Sequence, residues 1–193
     1  MQRPVTEAAD GPLSRLAELL GSRNEIDGEI ARLIGRPAER GHIGEFIASH
    51  VFGIRLAESA TSRAIDGWFE GGPLAGRSVN IKFYGRLESI LDVSPSGTVD
   101  YYLVLTGSRS TAGSSRGASR PLTIEHVFLL EADSLHVELE ARGVKVGIGT
   151  SVRRSVWTTS EIYPADNPKV LHLDHETRQR LNAFTETTND SRS

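Results

Sequence analysis

Apolar residues recur along this chain with two different periods, and each change of period marks an element. Leu13, Leu16, Leu19 and Leu20 are spaced three and four apart behind Pro12, which predicts a short first helix. Ile26, Ile30, Leu33 and Ile34 repeat the stripe after Asn24, a good capping residue, and Gly35 closes it, so a second short helix is expected. Ile43, Phe46, Ile47, Val51 and Ile54 continue at helical spacing, with Glu45 in the first turn on a neighbouring face.

Beyond residue 60 the period falls to two. Ala64 to Phe69 is expected to be a strand, Glu70 to Gly76 a Gly/Pro-rich turn, and Ser78 to Tyr84 a second strand. In that second strand Val79, Ile81 and Phe83 share one face, while Asn80, Lys82 and Tyr84 share the other. Further strands are predicted over 100–106 and 123–130, then a helix over 131–142. The period of residues 151–157 fits a short helix or a strand equally well. The order of elements predicts an α/β fold, a mixed four-stranded sheet flanked by helices, with two short N-terminal helices. Three regions are expected: a helical extension over 1–37, the α/β domain over 38–163, and a polar, partly disordered tail over 164–193.

Composition narrows the function classes. With 38% hydrophobic and 24% charged residues the chain is globular in character. The absence of Cys excludes thiolate zinc sites, thiol nucleophiles and disulfides. No apolar run is long enough to cross a bilayer and none resembles a signal peptide, so a cytoplasmic protein without a membrane partner is expected. The net charge of −3 argues against a coat protein for nucleic acid, but charge is unevenly spread. Residues 107–120 contain Arg109, Arg116 and Arg120 and no acid, and residues 141–154 contain four basic residues and no acid. Arg109, Arg116 and Arg120 are therefore candidate contacts to a phosphate backbone, with a solvated loop as the alternative. The leading helices suit packing or dimerisation, either with a second copy or with a partner subunit.

Four positions carry candidate chemistry. Asp66 is an acid inside an apolar strand, and Asn80 and Lys82 lie on one face of the next strand. A hairpin would set Asp66 across from that pair, with Glu45 approaching from its helix. Carboxylate and carbonyl oxygens suit a divalent hard cation, Mg²⁺ or Mn²⁺, that would polarise a phosphate and acidify a bound water. Lys82 would orient that water or offset developing negative charge. The competing structural reading makes Asp66 a turn residue and Lys82 half of an ordinary ion pair.

The order Glu45, Asp66, Asn80-Ile81-Lys82 resembles the PD-(D/E)XK nuclease superfamily. The stretches Gly41-His-Ile-Gly-Glu-Phe-Ile-Ala48, Ile65-Asp-Gly67, Gly72-Pro-Leu-Ala-Gly76 and Val79-Asn-Ile-Lys82 are similar to a bacterial domain family within it. The resemblance covers residues 38–163. It implies a restriction-endonuclease-like core, metal ligation by Glu45, Asp66, position 80 and the carbonyl of Ile81, and Lys82 as the catalytic lysine. The implied activity is hydrolysis of DNA in genome defence or repair. Two positions depart from the pattern: Ile65 precedes Asp66 where Pro is usual, and Asn80 stands where the superfamily has Asp or Glu. The neutral Asn80 also fits a catalytically silent DNA-binding or scaffolding protein on the same fold, and a partner-sensing module is a third alternative. Zinc ligation by His42, Glu45 and His50 is the weaker metal reading. No nucleophile elbow and no Walker-type phosphate loop is present.

Overall fold

The computed structural model of the chain describes residues 11–58, 64–95, 98–109 and 121–185. It divides into two compact units, Met1–Ile43 and Gly44–Ser193. The first unit contains α1, Gly11–Ile34, one continuous helix of 24 residues where two short helices were expected. Gly21 and Asn24 lower its propensity by up to about 1 kcal/mol each, which is too little to interrupt a helix with apolar residues on both sides. The second helix, α2, spans Arg40–Phe52 and runs across the unit boundary.

In the larger unit the chain forms β1 (Ile54–Leu56), β2 (Gly67–Phe69), β3 (Ser78–Tyr84), β4 (Ile90–Leu91), β5 (Tyr101–Thr106) and β6 (His126–Glu131). It continues through α3 (Ala132–Ala141), β7 (Thr150–Ser151), α4 (Arg154–Ser160), β8 (Glu161–Tyr163) and α5 (His175–Asn182). The main sheet is α/β in type and mixed, as expected, but has six strands rather than four, in the order β1-β2-β3-β5-β6-β8. Strand β3 runs parallel to β5, and the remaining neighbours are antiparallel. Strands β4 and β7 form a separate two-stranded sheet.

The differences from expectation have local causes. Ile54 fits the helical stripe but begins β1, because Gly53 at φ 60° ends α2 two residues earlier. Residues 151–157 are ambiguous in period because they contain both the end of β7 and the first turn of α4. Part of the segment expected to be a polar tail is folded: Leu173 and Leu181 are buried, and Asp174 caps α5 by accepting a 2.8 Å hydrogen bond from the Thr177 amide.

Alternation along β3 divides its side chains between two environments. Asn80, Lys82 and Tyr84 pair in register with Tyr102, Val104 and Thr106 of β5. Tyr102 and Val104 belong to a core cluster with Phe128, Leu130, Leu135, Leu139 and Trp157, so this face packs under α3, α4 and the small sheet. Val79, Ile81 and Phe83 occupy the opposite face. There a Cβ added to Gly44 would lie 2.7 Å from the Phe83 Cβ, so α2 crosses this face at glycine distance. No helix among the described residues is long and apolar enough to cross a membrane.

Candidate functional site

Strand β2 pairs with β3 only as far as Val79, and the site begins where that pairing stops. The Asp66 amide donates to the Val79 carbonyl at 2.9 Å. Two residues on, the Ile81 amide donates to Asp66 Oδ2 at 2.6 Å. The Asp66 side chain thus takes the place of a strand partner for an amide that would otherwise cost about 1–3 kcal/mol if left unpaired on burial. A strand residue directs its amide and carbonyl to the same edge, so the Ile81 carbonyl also faces the edge that Asp66 occupies. Residues 64–66 are irregular rather than the start of a strand, which frees the Asp66 side chain to reach β3.

Asn80, 6% exposed, donates through Nδ2 to the Ala64 carbonyl at 2.9 Å. Its Oδ1 is buried and has no hydrogen-bond partner among the described residues. The amide therefore anchors the segment that carries Asp66. An aspartate could not make that bond, since an ionised carboxylate only accepts. The presence of Asn rather than Asp at position 80 has this local physical reason.

Asn80 and half-buried Lys82 line a cavity of about 510 Å³ together with Asp92, Ser94, Gly147 and Ile148. Two tyrosines from the same face of the sheet hold its wall: the Asp92 amide donates to Tyr84 Oη at 3.1 Å, and the Ser94 amide to Tyr102 Oη at 3.0 Å. Burial pushes both phenol pKa values above their ordinary value, so both hydroxyls stay neutral across the physiological range. Asp92 Oδ1 accepts from the Gly149 amide at 2.8 Å, which ties the Gly-rich segment 143–149 to the cavity rim. That segment connects α3 to β7.

The expected site residues are placed unevenly. Asp66, Asn80, Ile81 and Lys82 are brought to one stretch of β3 by the bonds above. Glu45 is half-buried on α2 and follows Gly44, so it enters from the Phe83 side of the sheet, opposite to Asn80 and Lys82. Among the described residues no three His, Asp or Glu side chains are grouped as a metal site. Arg109 pairs with Glu161 at 3.2 Å, and Glu161 also contacts His126 Nδ1 at 2.5 Å, so this arginine is tied to β8. Arg116 and Arg120 lie outside the described residues. His50 is exposed and leans on Phe46, ring centroids 4.2 Å apart, while His42 Nδ1 bonds the Pro37 carbonyl.

Two acids escaped the sequence reading. Asp92 lies in a stretch without strong periodicity, and only the tertiary fold sets it beside Asn80 and Lys82. Asp100 accepts from the Ser78 amide at 2.7 Å and from its hydroxyl at 2.6 Å, and pairs with Arg77 at 3.2 Å. That cluster registers β5 against β3 at the end where the site begins; the Asp just before a strand was its only signal. No protein-family model and no curated protein matches this chain.

Proposed function

We propose that this chain is a metal-dependent, nuclease-like protein that hydrolyses phosphodiester bonds in DNA, in genome defence or repair. The observation that carries the proposal is the hydrogen bond between Asp66 and Ile81, which sets a carboxylate beside the residue linking Asn80 to Lys82. On this reading β1, β2, β3, β5 and β6 with α2 are the restriction-endonuclease-like core, and β8 is an added edge strand.

The donor set suits a hard cation. Asp66, Asn80 Oδ1 and the Ile81 carbonyl are oxygen ligands of the kind Mg²⁺ and Mn²⁺ take, and Glu45, which enters from the opposite face, would join them by reaching round the open edge of β3. Asn80 Oδ1 supports the fit, because a buried acceptor with no partner among the described residues is one a cation can satisfy. A bound Mg²⁺ or Mn²⁺ would polarise the phosphate and lower the pKa of a coordinated water. The chain supplies the rest. Lys82 offsets negative charge developing on the phosphate, Asn80 fixes Asp66 through Ala64, and the Tyr84 and Tyr102 hydroxyls keep the cavity wall in place. Arg109, with Arg116 and Arg120 in the same basic segment, contacts the DNA backbone.

A second reading is a catalytically inactive DNA-binding or scaffolding protein on the same fold. It is favoured by the neutral Asn80 and by the structural use already made of the Asp66 carboxylate. Calorimetric titration of Mn²⁺ into wild type and Asp66→Asn separates the two. The nuclease reading expects heat from wild type that Asp66→Asn loses; identical traces would favour the inactive protein.

A further inference from the structure

Helix α1 has no buried residue along its 24 positions, although Leu16, Leu19, Ile26 and Leu33 are large and apolar. Leu16, Leu19, Arg23, Ile26, Ile30 and Leu33 alternate spacings of three and four, which is the a/d seam of a coiled coil. Leu13, Leu20 and Ile34 widen the seam on one flank, and Gly21, Gly28 and Gly35 recur every seventh residue on the side away from it. Helices in water draw most of their stability from packing an apolar face, so a stripe about 32 Å long with Leu13 at 67% and Leu33 at 74% exposure needs a partner.

The charges identify that partner. Residues 11–23 carry Arg15, Glu18 and Arg23, a net +1, and residues 24–34 carry Glu25, Asp27, Glu29 and Arg32, a net −2. The helix is self-complementary when laid head to tail against itself. A parallel pair would face Arg23 with its own copy inside the seam. In the antiparallel pair Arg23 comes to lie beside Ile26 and Asp27 of the second copy. Within one helix the Arg23–Asp27 ion pair, at 3.3 Å, is exposed and contributes little.

We infer that α1 pairs antiparallel with α1 of a second copy of this chain, making the protein a homodimer through its N-terminal unit. A specific interface buries about 1,000 Å² or more, and the six seam residues with the flanking Leu13, Leu20 and Ile34 of each helix supply the apolar surface for it. The proposal is independent of the nuclease reading, since it uses no residue of the site.

Sedimentation equilibrium of the full chain at micromolar concentration is expected to give twice the monomer mass. Leu19→Glu with Ile26→Glu is expected to give the monomer mass. Arg23→Asp alone should weaken the dimer by on the order of tenfold, and adding Asp27→Arg should restore it. Helix content by circular dichroism, unchanged in Arg23→Asp, separates a lost contact between chains from a lost helix, because the same two residues also pair within one helix. Orientation is read by oxidation, which is clean because the chain has no native Cys. Leu16→Cys with Leu33→Cys should cross-link two chains, and Leu19→Cys alone should not. A monomeric wild type, a dimer that survives the two glutamates, or ready cross-linking of Leu19→Cys would overturn the inference.

Discussion

Asp66 and Ile81, fifteen residues apart in sequence, are joined by a 2.6 Å hydrogen bond from the amide of Ile81 to the carboxylate of Asp66. The bond closes the edge of β3 just where β2 ceases to pair with it, and it brings an acid to the middle of Asn80-Ile81-Lys82. Asp66 therefore has two separable tasks, one in holding the strand edge and one in the proposed chemistry.

Substitutions at Asp66 should divide those tasks. Asp66→Ala leaves the Ile81 amide without its acceptor and is expected to lower stability by about 1–3 kcal/mol in urea unfolding. Asp66→Asn retains an oxygen acceptor and should cost less than about 1 kcal/mol, yet lose Mn²⁺ binding as completely as the alanine variant. Equal destabilisation by the two would mean that the Ile81 bond contributes nothing to the fold.

Position 80 should show a conflict between fold and metal. Asn80→Asp removes the donor to the Ala64 carbonyl and sets a carboxylate against that oxygen, so metal-free stability should fall by about 1–3 kcal/mol. The new carboxylate should raise metal affinity, and Mg²⁺ should recover part of the loss by mass action. Thermal melts with Mg²⁺ and with chelator would test this; a variant as stable as wild type and indifferent to Mg²⁺ would refute it.

Two glycines set how closely backbone elements approach the site. A Cβ at Gly67 would lie 2.6 Å from the Arg55 carbonyl oxygen, and one at Gly44 would lie 2.7 Å from the Phe83 Cβ. Gly67→Ala presses on backbone and is expected to cost about 2 kcal/mol or more, with Gly44→Ala of similar order. Chemical denaturation would measure both, and a cost under about 0.5 kcal/mol at Gly67 would contradict the close packing of β1 on β2.

Acid should loosen the joint between β5 and β3. Burial raises the Asp100 pKa, but the Ser78 hydroxyl and amide and the Arg77 charge outweigh it and hold the carboxyl below its ordinary value. A depressed folded pKa means that the stabilisation is fully present above the unfolded value, about 3.9, and is lost as pH falls through the folded value. Asp100→Asn should therefore narrow the stability gap between pH 6 and pH 3, on the order of the usual acid range. An unchanged pH profile in that variant would show that Asp100 does not carry this dependence.

Much of the site's frame was legible because it depends on short-range periodicity. Strand β3 falls on Ser78–Tyr84 as the alternation of Val79, Ile81 and Phe83 predicts, and that alternation alone puts Asn80 and Lys82 on one face. What escaped depends on residues distant in sequence. Asp92 reaches the cavity only because Tyr84 and Tyr102 hold its segment, and nothing in its neighbours signals that. Gly44 fixes the face from which Glu45 enters, a matter of which side of the sheet α2 covers, and helical period carries no such information. The edge strands β1 and β8 have three residues each, too few for a period to register. In α1 the apolar stripe was visible, but its continuity across Gly21 and Asn24 was not, since propensity suggests a break that the helix does not make.

The most direct test of the proposed chemistry is nicking of supercoiled plasmid, and cleavage of single-stranded DNA, with Mg²⁺ and with Mn²⁺ by wild type and Lys82→Ala. Lys82 is a half-buried strand position, so its loss should move stability by about 1 kcal/mol and leave the fold intact. The nuclease account predicts metal-dependent cleavage by wild type that falls by at least about a hundredfold in Lys82→Ala, the usual scale for losing one electrostatic group at a reacting centre. Cleavage that persists unchanged in Lys82→Ala, or a wild type inactive with both metals on both substrates, would contradict it.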